Sequence, residues 1–140
     1  MNTLNKLYEL TEREGVQVFS FPLNARDALS VMDGDGKCYV AIDKQKIKSD
    51  AEEISKLAHE LGHCATGAFY NVYSPLNARR KYENIADKWA IKHLISQEEL
   101  ERAVSAGYTE IWQLAEYFNV TEPLMAKAVS WYNYGNLYSA

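Results

Sequence analysis

The segment Ser49–Gly67, "SDAEEISKLAHELGHCATG", constrains this chain more than any other. Ile54, Leu57, Ala58, Leu61 and Ala65 fall at i, i+3, i+4, i+7 and i+11, which is one buried stripe of a helix. Ser49 and Glu52 have the S-x-x-E spacing of a capping box, and Gly67 is a natural C-terminal stop. Within this helix lies His59-Glu60-Leu61-Gly62-His63, an H-E-x-x-H pattern. Residues four apart on a helix project on nearly the same side, about 6 Å apart along the axis. Two imidazoles so placed can reach one ion. Glu60 lies about 100° round the helix from His59, so it can flank a metal without ligating it and take a proton from a bound water. Gly62 costs roughly 1 kcal/mol against alanine inside a helix, which suggests close passage of another backbone, such as a strand edge.

A catalytic zinc site usually takes three protein ligands and leaves a fourth position open. The continuation H-E-x-x-H-x-x-G-x-x-H fails here, because Thr66 and Phe69 stand at its glycine and last histidine positions. The alternative is a carboxylate from a following helix. "YENIADKWA" (82–90) offers Glu83 and, four residues on, Asp87. Glu83 would complete a His₂Glu site for Zn²⁺, and Asp87 would hold the N–H of a ligating histidine.

Around this pair of helices the chain reads as α+β. Residues 3–14 predict a short helix ending at Gly15, and "VQVFSF" (16–21) a strand. "DALSVM" and "KCYVAID" flank the turn "DGDG" (33–36) and predict a hairpin, giving a small N-terminal antiparallel β unit with Cys38, Val40 and Ile42 on one face. Lys37 and Lys44 stand where a calcium loop needs oxygen ligands, so the turn is structural. A helical body follows: a helix from about Arg79 to Ile95 with Tyr82, Ile85, Ala86 and Trp89 on one face, a short helix capped by Ser96 and Glu99, a helix through Ile111, Leu114, Ala115 and Phe118, and one over 122–134. No repeat or Pro/Gly/Ser-rich linker divides the 140 residues, so a single domain over 1–140 is expected.

Composition narrows the function classes. The net charge of −4 argues against non-specific binding to nucleic acid or anionic membrane. No apolar run approaches the roughly 20 residues of a membrane span. The start, "MNTLNKLYELTEREG", lacks the layout of a secretory signal. Two cysteines, Cys38 and Cys64, are too few for a disulfide framework; reduced thiols in a cytoplasmic protein are the simpler expectation, with Cys64 a small packing residue. "TEIWQLAEYFNVTEPLMAKAV" has helix-turn-helix rhythm, but Lys127 is its only basic residue, so packing or protein docking is expected over DNA binding. "NARRKY" (77–82) is a solvated helix start that could steer an acidic substrate, and His93 is a helix-surface or core histidine. A transition-state hydrogen-bond donor is expected near the metal, and Tyr70, Tyr73 and Tyr82 are equal candidates.

"HELGHCATGAFYN" followed by "YENIADKWAIKHLI", extending through "EELERAVSAGYTEIWQLAEYFNVTEPLMAKAV", resembles the ImmA/IrrE family of metallopeptidases of bacterial mobile elements and prophages. The resemblance covers most of the chain after residue 50. It implies a zincin-like fold, zinc bound by His59, His63 and Glu83, Glu60 as catalytic base and Asp87 supporting the ligands. It also implies a repressor protein as substrate, whose cleavage derepresses the element. A module that keeps the metal but only sequesters the repressor is the alternative, and an extended substrate segment pairing with an edge strand is a further expectation.

Overall fold

A computed structural model of the chain describes residues 2–138. Its elements are α1 (Thr3–Arg13), β1 (Gln17–Ser20), β2 (Ala28–Met32), β3 (Cys38–Ile42), α2 (Asp50–Thr66), α3 (Leu76–Leu94), α4 (Gln97–Ser105), α5 (Ile111–Phe118) and α6 (Glu122–Tyr134). The architecture is α+β, a three-stranded sheet packed against a helical body.

The hairpin forms as its turn chemistry requires. Asp33 Oδ1 accepts from the backbone N–H groups of Asp35 and Lys37, so the side chain closes the turn. β2 and β3 then pair antiparallel, with Met32 opposite Cys38 and Ala28 opposite Ile42. β1 departs from the expected antiparallel unit: it joins the other edge of β3 in parallel, in the order β1-β3-β2. The loop from residue 21 to 27 therefore crosses the end of β3. The residues just past β3 tie it down. Asp43 Oδ2 accepts from Leu23 N, and the Lys46 ammonium donates to the carbonyls of Leu23, Asn24 (2.9 Å) and Arg26 (3.1 Å).

Val40 and Ile42 on β3 are fully buried against α2, whose Ile54, Leu57, Ala58 and Leu61 are also fully buried. Ala65, assigned to the same stripe by its spacing, is exposed, because the apolar contact ends a turn before the helix does. Ser49 caps α2 by accepting from Glu52 N, while the Glu52 carboxylate reaches back to Lys48 N rather than to the cap residue. Gly67 ends the helix in the left-handed region at φ 71°.

Cys38 and Cys64 are not separate thiols: the structure joins them in a disulfide, with their Cα atoms 5.7 Å apart. Cys38 sits at the start of β3 and Cys64 in the last turn of α2. The two elements pack face to face, which a 26-residue separation does not reveal.

α3 begins three residues before its expected start. Its fully buried apolar residues are Ala86, Ala90 and Ile91, while Tyr82, Ile85 and Trp89 are half-buried. The side facing α2 is thus the small-residue side. A Cβ built on Gly62 would lie 2.7 Å from the carbonyl oxygen of Ala86. The close backbone that Gly62 requires is α3, not a strand edge. α5 and α6 complete the body. Ser55 Oγ of α2 accepts from Thr121 N at the start of α6, and Tyr132 OH donates to the Ile95 carbonyl. Among the described residues no helix is long and apolar enough to cross a membrane.

Candidate metal centre

The contact of Gly62 with Ala86 brings two helical turns together. One carries His59 and His63, three residues before and one after Gly62. The other carries Glu83 and Asp87, on either side of Ala86. His59 Nε2 lies 2.8 Å from Glu83 Oε2, and His63 Nε2 lies 2.9 Å from Glu83 Oε1. One ligand atom from each of the three residues falls within 4.8 Å of the others.

The other ring nitrogens are committed elsewhere. His59 Nδ1 donates to Asp87 Oδ1 at 2.7 Å, and His63 Nδ1 donates to the carbonyl of Ala68, just past the Gly67 cap. Each ring is therefore held from behind, with its Nε2 facing the shared carboxylate. A carboxylate opposite two imidazole Nε2 atoms favours positive charge between them, and two nitrogens with one oxygen suit a divalent ion of the zinc type. The residues present fit a metal ion.

The electrostatics follow from the same contacts. Burial opposes charging of His59, but hydrogen bonds to Asp87 and Glu83 and the nearby charges of Asp87 and Glu60 prevail, carrying its pKa up to about 10. Burial likewise opposes ionisation of Glu83, yet the hydrogen bonds from His59 and His63 hold it well below the usual carboxylate range. Asp87 is buried too, and its bonds to His59 and Lys127 keep it ionised to lower pH than usual. Lys127 Nζ donates to Asp87 Oδ2 at 2.7 Å. The one cation noted in that C-terminal segment is thus engaged beside His59, through Asp87.

Glu60 is buried beside the ligands and points toward the sheet. Ser30 of β2 donates from Oγ to Glu60 Oε1 at 2.7 Å. The three tyrosine candidates separate in space. Tyr73 is 91% exposed on the loop before α3. Tyr70 stands edge-on to His63, its ring centre 6.5 Å away, and lines a pocket of about 80 Å³ with Ser30, Glu60, His63 and Glu83. Burial and the charge of Glu83 keep the Tyr70 hydroxyl protonated to higher pH than usual. Tyr82 lines neither this pocket nor the larger cleft beside it. His93 lies apart, stacked on Trp89 at 3.9 Å. Arg79 is occupied with the carbonyls of Ser74 and Val72, so of the "NARRKY" cations it secures a loop. Ser30 and Lys127 come from elements far from the H-E-x-x-H helix in sequence, and no local pattern marks them as neighbours of the centre, whereas Tyr70 stands three residues past the Gly67 cap of that helix.

On its other side the centre opens into a cleft of about 1190 Å³ that reaches His59, Glu60, Glu83 and Asp87. A helix bearing two histidines, a returning helix bearing a carboxylate opposite them and a sheet alongside fit the zincin-like arrangement of metallopeptidases. The chain matches the IrrE N-terminal-like domain, Peptidase_M78, over residues 11–130, and it belongs to that family. No curated protein matches it.

Proposed function

We propose that this chain is a zinc endopeptidase of one domain that cleaves a partner transcriptional repressor and so derepresses a mobile element or prophage. The observation that carries the reading is the convergence of His59, His63 and Glu83, with the carboxylate of Glu60 beside them at the floor of an open cleft. Bound zinc would supply Lewis-acid polarisation of the scissile carbonyl and acidify a water.

The chain's own residues divide the remaining work. Asp87 and the Ala68 carbonyl fix the tautomers of the two histidines. Ser30 holds Glu60 Oε1, which leaves Oε2 as the atom that takes a proton from the attacking water and returns it to the leaving amine. Tyr70, in the small pocket beside Glu60, donates its hydroxyl hydrogen to the oxygen on which charge develops.

The test takes a helix-turn-helix repressor from a gene adjacent to this one, where sequencing of the locus finds one, incubates it with the zinc-loaded protein and follows the products by mass spectrometry. Wild type cleaves it; Glu60→Gln keeps its zinc and does not. If Glu60→Gln relieves repression as fully as wild type, the protein acts by sequestering the repressor. Tyr70→Phe should lower kcat about 10²-fold or more, the scale of one lost transition-state donor, with zinc content unchanged. An unchanged kcat removes Tyr70 from the chemistry.

A further inference from the structure

We propose that Arg26 is a specificity residue that binds an acidic side chain of the substrate close to the scissile bond; this rests on the peptidase reading. Three residues line both the large cleft and the small pocket: Arg26, Glu60 and Glu83. Arg26 therefore stands where the two spaces meet, beside the reacting groups, and its charge is felt at the Tyr70 hydroxyl.

Its backbone is fixed while its charge is left open. The loop before β2 is held by the Lys46 ammonium at the carbonyls of Leu23, Asn24 and Arg26, by Asp43 at Leu23 N, and by the ion pair of Asp27 with Lys56. The Arg26 guanidinium, in contrast, has no carboxylate partner among the described residues. The other cations of the cleft are used internally, Lys46 on the loop carbonyls, Lys56 on Asp27 and Lys127 on Asp87. Lys48 is exposed as well, but it precedes α2, whose first residue, Asp50, is already about 15 Å along the helix axis from Glu60.

A substrate lying across this junction would cover the guanidinium. Removing that charge from water costs free energy unless an anion meets it, and a planar guanidinium donates two parallel hydrogen bonds to a carboxylate. The neighbouring carboxylates are already engaged, Glu83 by two histidines and Glu60 by Ser30. The matching group must come from the substrate.

The experiment uses short fluorescein-labelled peptides carrying Glu, Gln or Lys at one scanned position. Binding to zinc-loaded Glu60→Gln protein is read by fluorescence anisotropy. At one position Glu should bind about tenfold more tightly than Gln, the scale of one charge-assisted interaction. Arg26→Gln should erase that preference, and Arg26→Glu should turn it toward Lys, both with zinc content unchanged. Equal binding of Glu and Gln peptides, binding of none, or a preference that survives Arg26→Gln overturns the proposal. The same peptides offered to zinc-loaded wild type separate the two readings. Cleavage without acidic preference overturns the role of Arg26 alone. Acid-selective binding without cleavage supports Arg26 and overturns the peptidase reading alone.

Discussion

Asp87 holds His59 from behind and is itself held by Lys127, so a three-member chain of charges runs from α2 through α3 to α6. In metal-free protein this chain makes stability depend on pH, and the sign follows from the direction of each shift. The pKa of His59 rises from 6.5 to about 10 on folding, so its contribution is complete below about pH 6.5 and is lost as pH climbs toward about 10. Glu83 and Asp87 shift downward, so their contributions are present above their unfolded values and fade as pH falls. Chemical denaturation of chelator-stripped protein should therefore show stability declining from near-neutral pH toward pH 10, and His59→Gln should flatten that decline. A wild-type profile flat across this window would contradict the imidazole contacts. His59, His63, Glu83 and Asp87 were legible in the sequence because a helix turns a spacing of four into a shared face. Ser30 and Arg26 were not singled out, and Lys127 was noted only as a lone cation, since their places depend on how distant elements pack; Tyr70 was one of three equal candidates.

Among the elements, the pair α2 and α3 sets the geometry of the centre, and Gly62 sets the distance between them. Alanine there would gain roughly 1 kcal/mol of helix propensity. Its Cβ would meet the Ala86 carbonyl oxygen at 2.7 Å, and neither helix backbone can yield locally. Overpacking of this kind costs about 1–3 kcal/mol. Gly62→Ala should thus lower the melting temperature and weaken zinc binding, because α3 moves with Glu83. A higher melting temperature with unchanged zinc affinity would show that the helices are not so close. The glycine announced this approach in the sequence, though not which element approaches. The hairpin was readable from its turn residues, whereas the parallel pairing of β1 was not. Its cause lies past the strands, where Asp43 and Lys46 hold a loop that local periodicity cannot place.

Across the whole molecule, the sheet, the two helices that carry the candidate ligands and the C-terminal helices meet at one place. β2 supplies Ser30, α2 the two histidines and Glu60, α3 Glu83 and Asp87, and α6 Lys127. The α+β class followed from the change of hydrophobic period near residue 50. The disulfide between Cys38 and Cys64 did not, because it depends on how β3 and α2 pack. Cys64 follows His63 directly, so sulfur stands next to the centre in sequence. The most direct test is X-ray absorption at the zinc edge, on protein purified without chelator. The account predicts zinc with a first shell of nitrogen and oxygen only, at about 2.0–2.2 Å, with two imidazoles, one of which is lost in His63→Ala. A sulfur at about 2.3 Å, or a spectrum unchanged by His63→Ala, would contradict it.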